Sequence, residues 1–375
     1  MNLRVGFDAR WYNDSGVGTY VAELLRALAS HQEEIELIVY ENPLNPVQSL
    51  TGRNVQRVPV RASKYSLNGQ VVLARRTRVD RLDLFHSPFY VMPLAASCPV
   101  IVTIHDLIPF LFPIYSTIKQ MVVKTGYRVA SNKAAHIIAD SLNTARDVER
   151  LLKTNAEKIT AVPIAADRSR YCPDAAEGEL TLLREKFGVA GPYVMAASAR
   201  NWRHKNLEGA LKALEFARTQ AGVEFQTIIY GPGDGLKAAG GPQLWNNIGL
   251  RHTGYTAVDD LAILFRHARA FIMPSLYEGF GLPVLEAMSC GCPVITSTGG
   301  SLPEVAGKGA QVFATDDVRG MGAAVAKLLT SEQNLQHWRA AALAQAAQFS
   351  WDRTAFNTIN VYRKVAAASL RAAQQ

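Results

Sequence analysis

The sequence has no apolar run near the ~20 residues that a membrane span requires, so a transmembrane reading is set aside. Its four cysteines, Cys98, Cys172, Cys290 and Cys292, form no C-x-x-C pair. Their scatter does not suggest a disulfide framework and favours a reducing compartment. Cys290-Gly-Cys292 lacks the further ligands that a thiolate metal site needs, which leaves buried, inert thiols. The opening "MNLRVGFDAR" carries Arg4 and Asp8 within a strand-like pattern and has no signal-peptide form, so a cytoplasmic protein is expected. No Asp-x-Asp pair is present to hold a catalytic divalent metal, and no G-x-S-x-G marks a serine hydrolase. No nucleic-acid module and no aromatic-interleaved basic stretch is visible, so no nucleic-acid partner is expected.

What is there is an ordinary globular composition over 375 residues, 48% hydrophobic and 19% charged. That length exceeds one comfortable core and predicts two domains. "LRVGFD", "IELIVY", "LDLFHS", "PVIVTI" and "HIIADS" read as buried strands, with helices in "GTYVAELLRALAS" and "NTARDVERLLK". The alternation restarts with "YVMAAS", "NLEGALKALEFARTQ", "FQTIIYG", "ARAFIMPS", "PVLEAMSCG" and "PVITST". Uninterrupted apolar strands between helices predict parallel sheets covered on both faces. The expected architecture is therefore α/β, with two Rossmann-like doubly wound domains over 1–170 and 171–350. A terminal helix over 351–375 is free to cross back to the first domain. The polar stretch 167–180 reads as the linker, and two facing sheets would share a cleft at the carboxyl ends of their strands.

The stretch "YEGFGLPVLEA" sets Glu278 and Glu286 on either side of a glycine-rich turn. The strand "AFIMPS" ends before it, and the helix "PVLEAMSCG" starts with Pro283 near its first position, where a missing N–H costs nothing. Gly291 stops that helix. Such a turn aims backbone N–H groups from the positive end of a helix, a site suited to phosphate. Gly279 and Gly281 let a ligand approach the backbone. Glu286, about one turn into the helix, suits neutral hydroxyls such as a ribose diol, and Glu278 suits the hydroxyls of a transferred sugar. A structural alternative is a first-turn acid and a surface loop acid.

"SARNWRHKNLEGAL" follows another strand and carries Arg200, Arg203 and Lys205, with Asn206 as the helix N-cap. Fixed cations there match a leaving diphosphate, on which negative charge accumulates as its bond breaks. Together with "HTGYTAVDDLAILFRHARAFIMPSLYEGFGLPVLEAMSCGCPVITSTGGSLPEVAG" and "SGVGTYVAELLRAL", this sequence resembles the family 4 retaining, nucleotide-sugar-dependent glycosyltransferases of the GT-B fold. Similarity in "HKNLEGAL" and "VTIHDLIPF" points to bacterial mannosyl- or rhamnosyltransferases of surface polysaccharide synthesis. The resemblance implies that Arg200 and Lys205 bind the donor diphosphate. It implies that Glu278 and the Gly279-Phe280-Gly281-Leu282 backbone meet the sugar and phosphate, that Glu286 binds the ribose, and that Gly254 and Tyr255 lie near the base. Gly16 and Gly18, in a flexible loop "DSGVGTY", would approach the donor from the first domain. His105, after "VTI", would touch the sugar near the reacting carbon, although a lone histidine there is more often structural. The stretch "VPIAAD", where many relatives carry N-G-V-D, departs from the pattern.

The implied chemistry is a front-face hexosyl transfer that needs neither cofactor nor metal, with GDP-mannose the first choice of donor. The implied acceptor is a saccharide or a lipid-linked saccharide. The net charge of +8 is concentrated in residues 1–170, where 21 Lys+Arg face 15 Asp+Glu, and especially between Arg61 and Arg81. That cluster reads as a solvated helix face or as an attraction for anionic lipid. The apolar "DLIPFLFPIYS", interrupted by Pro109 and Pro113, is not a central strand. Exposed beside Lys119, Lys124 and Arg128, it would suit peripheral contact with an anionic membrane. Two other classes compete. A dinucleotide-dependent oxidoreductase would use Gly16-Val17-Gly18, but Val21 stands where the fingerprint needs glycine. A non-catalytic two-domain binding protein is the other.

Overall fold

The computed structural model of the chain describes residues 2–12, 14–198, 202–239 and 241–373. They form two compact units, Met1–Ile164 with Ser350–Gln375, and Ala165–Phe349. The division thus falls at 164/165 rather than 170/171. The stretch 167–180, expected as a linker, belongs to the second unit, where Tyr171 is buried.

The first unit is built on a seven-stranded parallel sheet. Its strands are β1 (Leu3–Asp8), β2 (Ile35–Glu41), β3 (Val55–Pro59), β4 (Leu84–Ser87), β5 (Val100–Ile104), β6 (His136–Ala139) and β7 (Ile159–Ala161), in the order β3-β2-β1-β4-β5-β6-β7. The central strands β4, β5 and β6 are buried at every position, as a sheet covered on both faces demands. The edge strands β3 and β7 escaped sequence reading. β3 alternates buried Val58 with exposed neighbours, and β7 is three residues long, too short for a periodic signal.

The loop expected at "DSGVGTY" is instead the start of a helix, Ser15–Ala29. Val21, Leu24, Leu25 and Leu28 give it a buried stripe at helical spacing. Gly18 lies in its first turn, where a Cβ would collide with the Tyr12 carbonyl, whereas Gly16 faces open space. The "DLIPFLFPIYS" stretch forms the short helix Ile108–Leu111 and leads into the helix Thr117–Lys133. Half of the Arg61–Arg81 cluster, Arg75, Arg76 and Arg78, rides on the helix Leu67–Val79, in keeping with the solvated-face reading. Lys64 pairs with Asp14 and lies 4.5 Å from the centre of the Trp11 ring.

The terminal helix Trp351–Ala373 packs into this same unit. Thr354 donates to the Pro163 carbonyl at 2.7 Å, and the buried Tyr362 hydroxyl meets His86 Nδ1 at 2.6 Å. His86 Nε2 in turn meets Thr103 Oγ1 at 2.8 Å, and the Tyr20 hydroxyl meets the same oxygen at 2.9 Å. Burial, together with a charge on nearby His105, pushes the His86 pKa down to about 3, so its ring is neutral.

The second unit carries a six-stranded parallel sheet of β8 (Tyr193–Ala197), β9 (Gln226–Tyr230), β10 (Leu250–Gly254), β11 (Ala270–Met273), β12 (Val294–Ser297) and β13 (Ala310–Phe313). Their order is β10-β9-β8-β11-β12-β13. The chain runs outward one way from β8 and then the other way from β11, so the topological switch point lies between these two neighbours. Helices Leu207–Ala221 and Val318–Thr330 cover one face with a core that includes Leu211, Leu214, Met321 and Val325. The cysteines are free, and burial pushes the Cys290 and Cys292 thiols up.

Replacing Tyr362 by phenylalanine leaves a buried ring nitrogen of His86 without its partner. A loss of about 1–3 kcal/mol is expected from the desolvated, unpaired group. Denaturant unfolding checks it, and unchanged stability would mean that the terminal helix is not held through this contact.

Candidate active site in the second unit

Each strand of the second sheet delivers a loop to the carboxyl edge, and the two loops that flank the switch point meet. After β8 comes the 3-10 turn Trp202–Lys205, then Asn206 in the left-handed conformation at φ 50°. Asn206 caps the next helix by accepting from the Gly209 N–H at 3.3 Å. Its amide also donates to the carbonyls of Pro274 and Thr315, each at 3.0 Å. The His204 carbonyl accepts from the Leu276 N–H at 2.7 Å. These bonds tie the loop after β8 to the loop after β11. Lys205 Nζ consequently sits 2.7 Å from Glu278 Oε1, with both side chains largely buried.

The loop from Pro274 to Gly281 is pinned from beneath. A Cβ on Gly299 would strike the Ser275 carbonyl, and one on Gly300, at φ 64°, would strike the Glu278 backbone. The Ser301 N–H donates to the Glu278 carbonyl at 3.1 Å, and its hydroxyl faces the Phe280 carbonyl at 2.7 Å. Gly281, at φ 98°, opens the helix Leu282–Ser289, which has Pro283 in its first turn and Gly291 in the left-handed region just past its end. The first-turn amides of a helix have no intrahelical partner and carry its positive end. The glycine-opened turn and the helix after it stand where the sequence predicts them.

Glu286 lies on the same helix, partly buried. Burial pushes its carboxyl up to about 7; the Tyr171 hydroxyl and Lys205 work against that rise, while Asp167 adds to it. Lys205 therefore acts on both acids. Tyr171 was missed in the sequence because it sits in a polar stretch read as linker. Gly299, Gly300 and Ser301 were also missed as supports, although "TGG" immediately after a buried strand is the signal of a close backbone approach.

The other expected residues fall elsewhere. Gly254, at φ 68°, ends β10 beyond β9, and Tyr255 beside it is 92% exposed. Tyr255 borders a cavity of about 540 Å³ with Lys186, Arg251, Thr253 and Asp260. Lys205 and Glu278 are not among the residues that line this cavity. Arg200 lies outside the described residues. Gly16, Gly18 and His105 belong to the first unit. His105 follows β5, its Nδ1 2.6 Å from Asp140 Oδ2 and its Nε2 2.8 Å from the Pro88 carbonyl. Both ring nitrogens are thus engaged. Among the described residues no group of three or more His, Cys, Asp or Glu is placed to hold a metal ion.

Comparison with known proteins meets the site at this point. Residues 15–170 match the description "Glycosyltransferase Family 4", and residues 181–345 match "Glycosyl transferases group 1". The chain is 29% identical over 376 residues to the O-antigen chain mannosyltransferase B of Escherichia coli, covering 94% of this chain and 97% of that protein. It is 26% identical to the D-inositol 3-phosphate glycosyltransferase of Jonesia denitrificans, over 94% of this chain and 92% of that one. The crystal structure of Anabaena Alr3699/HepE in complex with UDP and glucose superposes with a TM-score of 0.73 at 18% identity, covering 96% and 99% of the two chains. The fold is GT-B, and the chain belongs to the family 4 glycosyltransferases. It is a transferase, not an oxidoreductase or a passive receptor.

The raised carboxyl of Glu286 has a stability consequence. An acid whose folded pKa lies above its ordinary 4.5 favours the fold below that value, and the benefit is lost as the pH rises to about 7. Glu286→Gln removes the charge that burial disfavours. The variant's melting temperature, relative to the unaltered chain, should therefore rise between pH 5 and pH 8. An equal difference at both pH values would contradict the assignment.

Proposed function

We propose that the chain transfers a hexose, with mannose from GDP-mannose the first choice, from a nucleotide diphosphate sugar to a saccharide or lipid-linked saccharide acceptor. The observation that carries this reading is the convergence of Lys205, Glu278, Glu286 and the glycine-opened helix at one switch point. Ligands of open parallel sheets bind there. The mannosyl choice is supported by the name of the Escherichia coli relative and the likeness along nearly its whole length.

In this reading the sugar C1–O bond to the diphosphate breaks, and the nucleoside diphosphate leaves with the electron pair. The acceptor oxygen attacks from the face the phosphate vacates, so configuration is retained, and its proton passes to the departing phosphate oxygen. Lys205, with Arg200, stabilises the growing phosphate charge without a metal. At rest Lys205 is held by Glu278. When phosphate takes the ammonium, Glu278 is released to accept from sugar hydroxyls, and the loop amides Gly279–Leu282 receive the phosphate. Glu286 accepts from the ribose diol, whose hydroxyls supply the donors that favour its charged form. Tyr255, exposed beside Gly254, offers a ring face to the base.

A nuclear magnetic resonance screen of GDP-, UDP-, ADP- and dTDP-sugars without added metal tests the proposal. One donor should bind and be slowly cleaved to the α-configured sugar. Lys205→Ala should slow that cleavage by about 10²-fold or more, the scale of a lost charge stabiliser. Binding of no sugar nucleotide at millimolar concentration by folded protein would refute the reading.

The same proposal includes peripheral contact with an anionic membrane on the cytoplasmic side. Among the described residues no helix is long and apolar enough to cross a bilayer. The helix Thr117–Lys133 instead turns an apolar stripe outward, with Ile118, Met121, Val122 and Val129 exposed. Lys119 and Lys133 flank the stripe on one side, Lys124 and Arg128 on the other, and the helix holds no acid. Apolar residues between cations, without acids, fit the boundary between headgroups and acyl chains. The protein should sediment with vesicles rich in phosphatidylglycerol and not with pure phosphatidylcholine. Met121→Glu with Val122→Glu should abolish that binding while leaving cleavage of the donor unchanged. Equal sedimentation of this variant would remove the helix from the contact.

A further inference from the structure

We infer that His105 is held as an imidazolium by a buried ion pair with Asp140, which makes it a fixed hydrogen-bond donor and rules it out as a general base. The inference concerns the ring itself; its catalytic meaning rests on the transfer reading above.

The argument starts from three adjacent strands. His105 follows β5, Pro88 follows β4, and Asp140 follows β6, so the ring lies between loops from both neighbouring strands. Nε2 faces the Pro88 carbonyl at 2.8 Å, and a carbonyl oxygen can only accept, so Nε2 carries a proton. Nδ1 faces Asp140 Oδ2 at 2.6 Å. The proton between them belongs to the ring unless the site reverses the ordinary order of the two groups, in which imidazole is more basic than carboxylate by about 2–3 pH units. With a proton on each nitrogen, the ring is a cation.

The surroundings of Asp140 make the same demand. The residue is 2% exposed, and its other oxygen, Oδ1, is buried with no hydrogen-bond partner. A buried carboxylate with a single contact is tolerable only when that contact bears a full positive charge. Among the described residues no other cation is in hydrogen-bond contact with Asp140. Around His105 lie the edge of Tyr20, with ring centroids 4.9 Å apart, the face of Phe89 at 6.3 Å, and Thr144, whose hydroxyl donates to the His105 carbonyl at 3.3 Å. His86 on β4 is neutral, engaged by Tyr362 and Thr103. Asp106 supplies a second negative charge nearby. Burial opposes the ring's charge, but Asp140, the Pro88 carbonyl and Asp106 together hold its pKa above the ordinary value.

A doubly protonated ring has no lone pair with which to take the acceptor's proton. A ligand oxygen that displaces the Pro88 carbonyl would receive Nε2–H, and the acceptor's proton must go elsewhere, as it does when the leaving phosphate is the base. Asp140 is then a positioning residue, acting through His105.

The test is ¹⁵N resonance of the histidine-labelled full chain, with His105 assigned by its loss in His105→Asn. At pH 7.5 both His105 ring nitrogens should report as protonated. A single protonated nitrogen at that pH, on either position, would overturn the inference, and this measurement needs no variant at Asp140. In Asp140→Asn the amide can donate to Nδ1, so the ring should lose its second proton and titrate at or below about 6.5. Donor cleavage by that variant should fall as the pH rises through that range, and the unaltered chain should show no such limb. A limb in the unaltered chain near 6.5 would also count against the pair. If no sugar nucleotide is bound or cleaved, the transfer reading fails while the ring measurement still decides the ion pair.

Discussion

The site rests on one close crossing of backbone. Gly299 and Gly300 run beneath the loop from Ser275 to Phe280 at a separation that no side chain at either position would allow. Ser301 then fixes the carbonyls of Glu278 and Phe280, and Ser297 holds that of Ser275. With its carbonyls bound from below, the loop has its Glu278 side chain set against Lys205 and leads into a helix that starts at Gly281. The position of the cation, the acid and the first-turn amides is a consequence of that crossing. A loop this constrained is preorganised, so a ligand is not charged the entropy of ordering it.

Electrostatics completes the arrangement. Lys205 and Glu278 neutralise one another at rest, which makes a largely buried cation tolerable without ligand. Glu286, by contrast, faces the Tyr171 hydroxyl, and burial pushes its carboxyl up to about 7. One acid is paired with a cation, and burial disfavours the charge of the other. The first unit shows a related device, in which the buried Asp140 and His105 satisfy one another after neighbouring strands. In both units charged side chains stand at the carboxyl edge of a parallel sheet, where apolar strands give way to loops.

Much of this was legible in the sequence. The uninterrupted strands "PVIVTI" and "AFIM" announce covered parallel sheets, and the glycine-proline grammar of "YEGFGLPVLEAMSCG" gives the turn, the helix and its stop. Asn206 was readable as a cap because its side chain acts locally. What escaped depends on contacts distant in sequence. The pairing of Lys205 with Glu278 spans 73 residues, and Tyr171 reaches Glu286 from a stretch whose composition looks like linker. Helix formation at Ser15 was masked by Gly16 and Gly18, since glycine lowers local propensity while Val21, Leu24, Leu25 and Leu28 supply the burial that overrides it. Edge strands β3 and β7 carry too little periodic signal to be read alone.

The most direct test of the central claim is amide hydrogen exchange across Ser275–Ser289 with and without a saturating nucleoside diphosphate. If the glycine-opened turn receives phosphate, the amides of Gly279, Phe280, Gly281 and Leu282 should become protected. Those of the buried strand β11 should change little. Bound nucleotide that protects other segments and leaves these four amides exchanging as before would contradict the account.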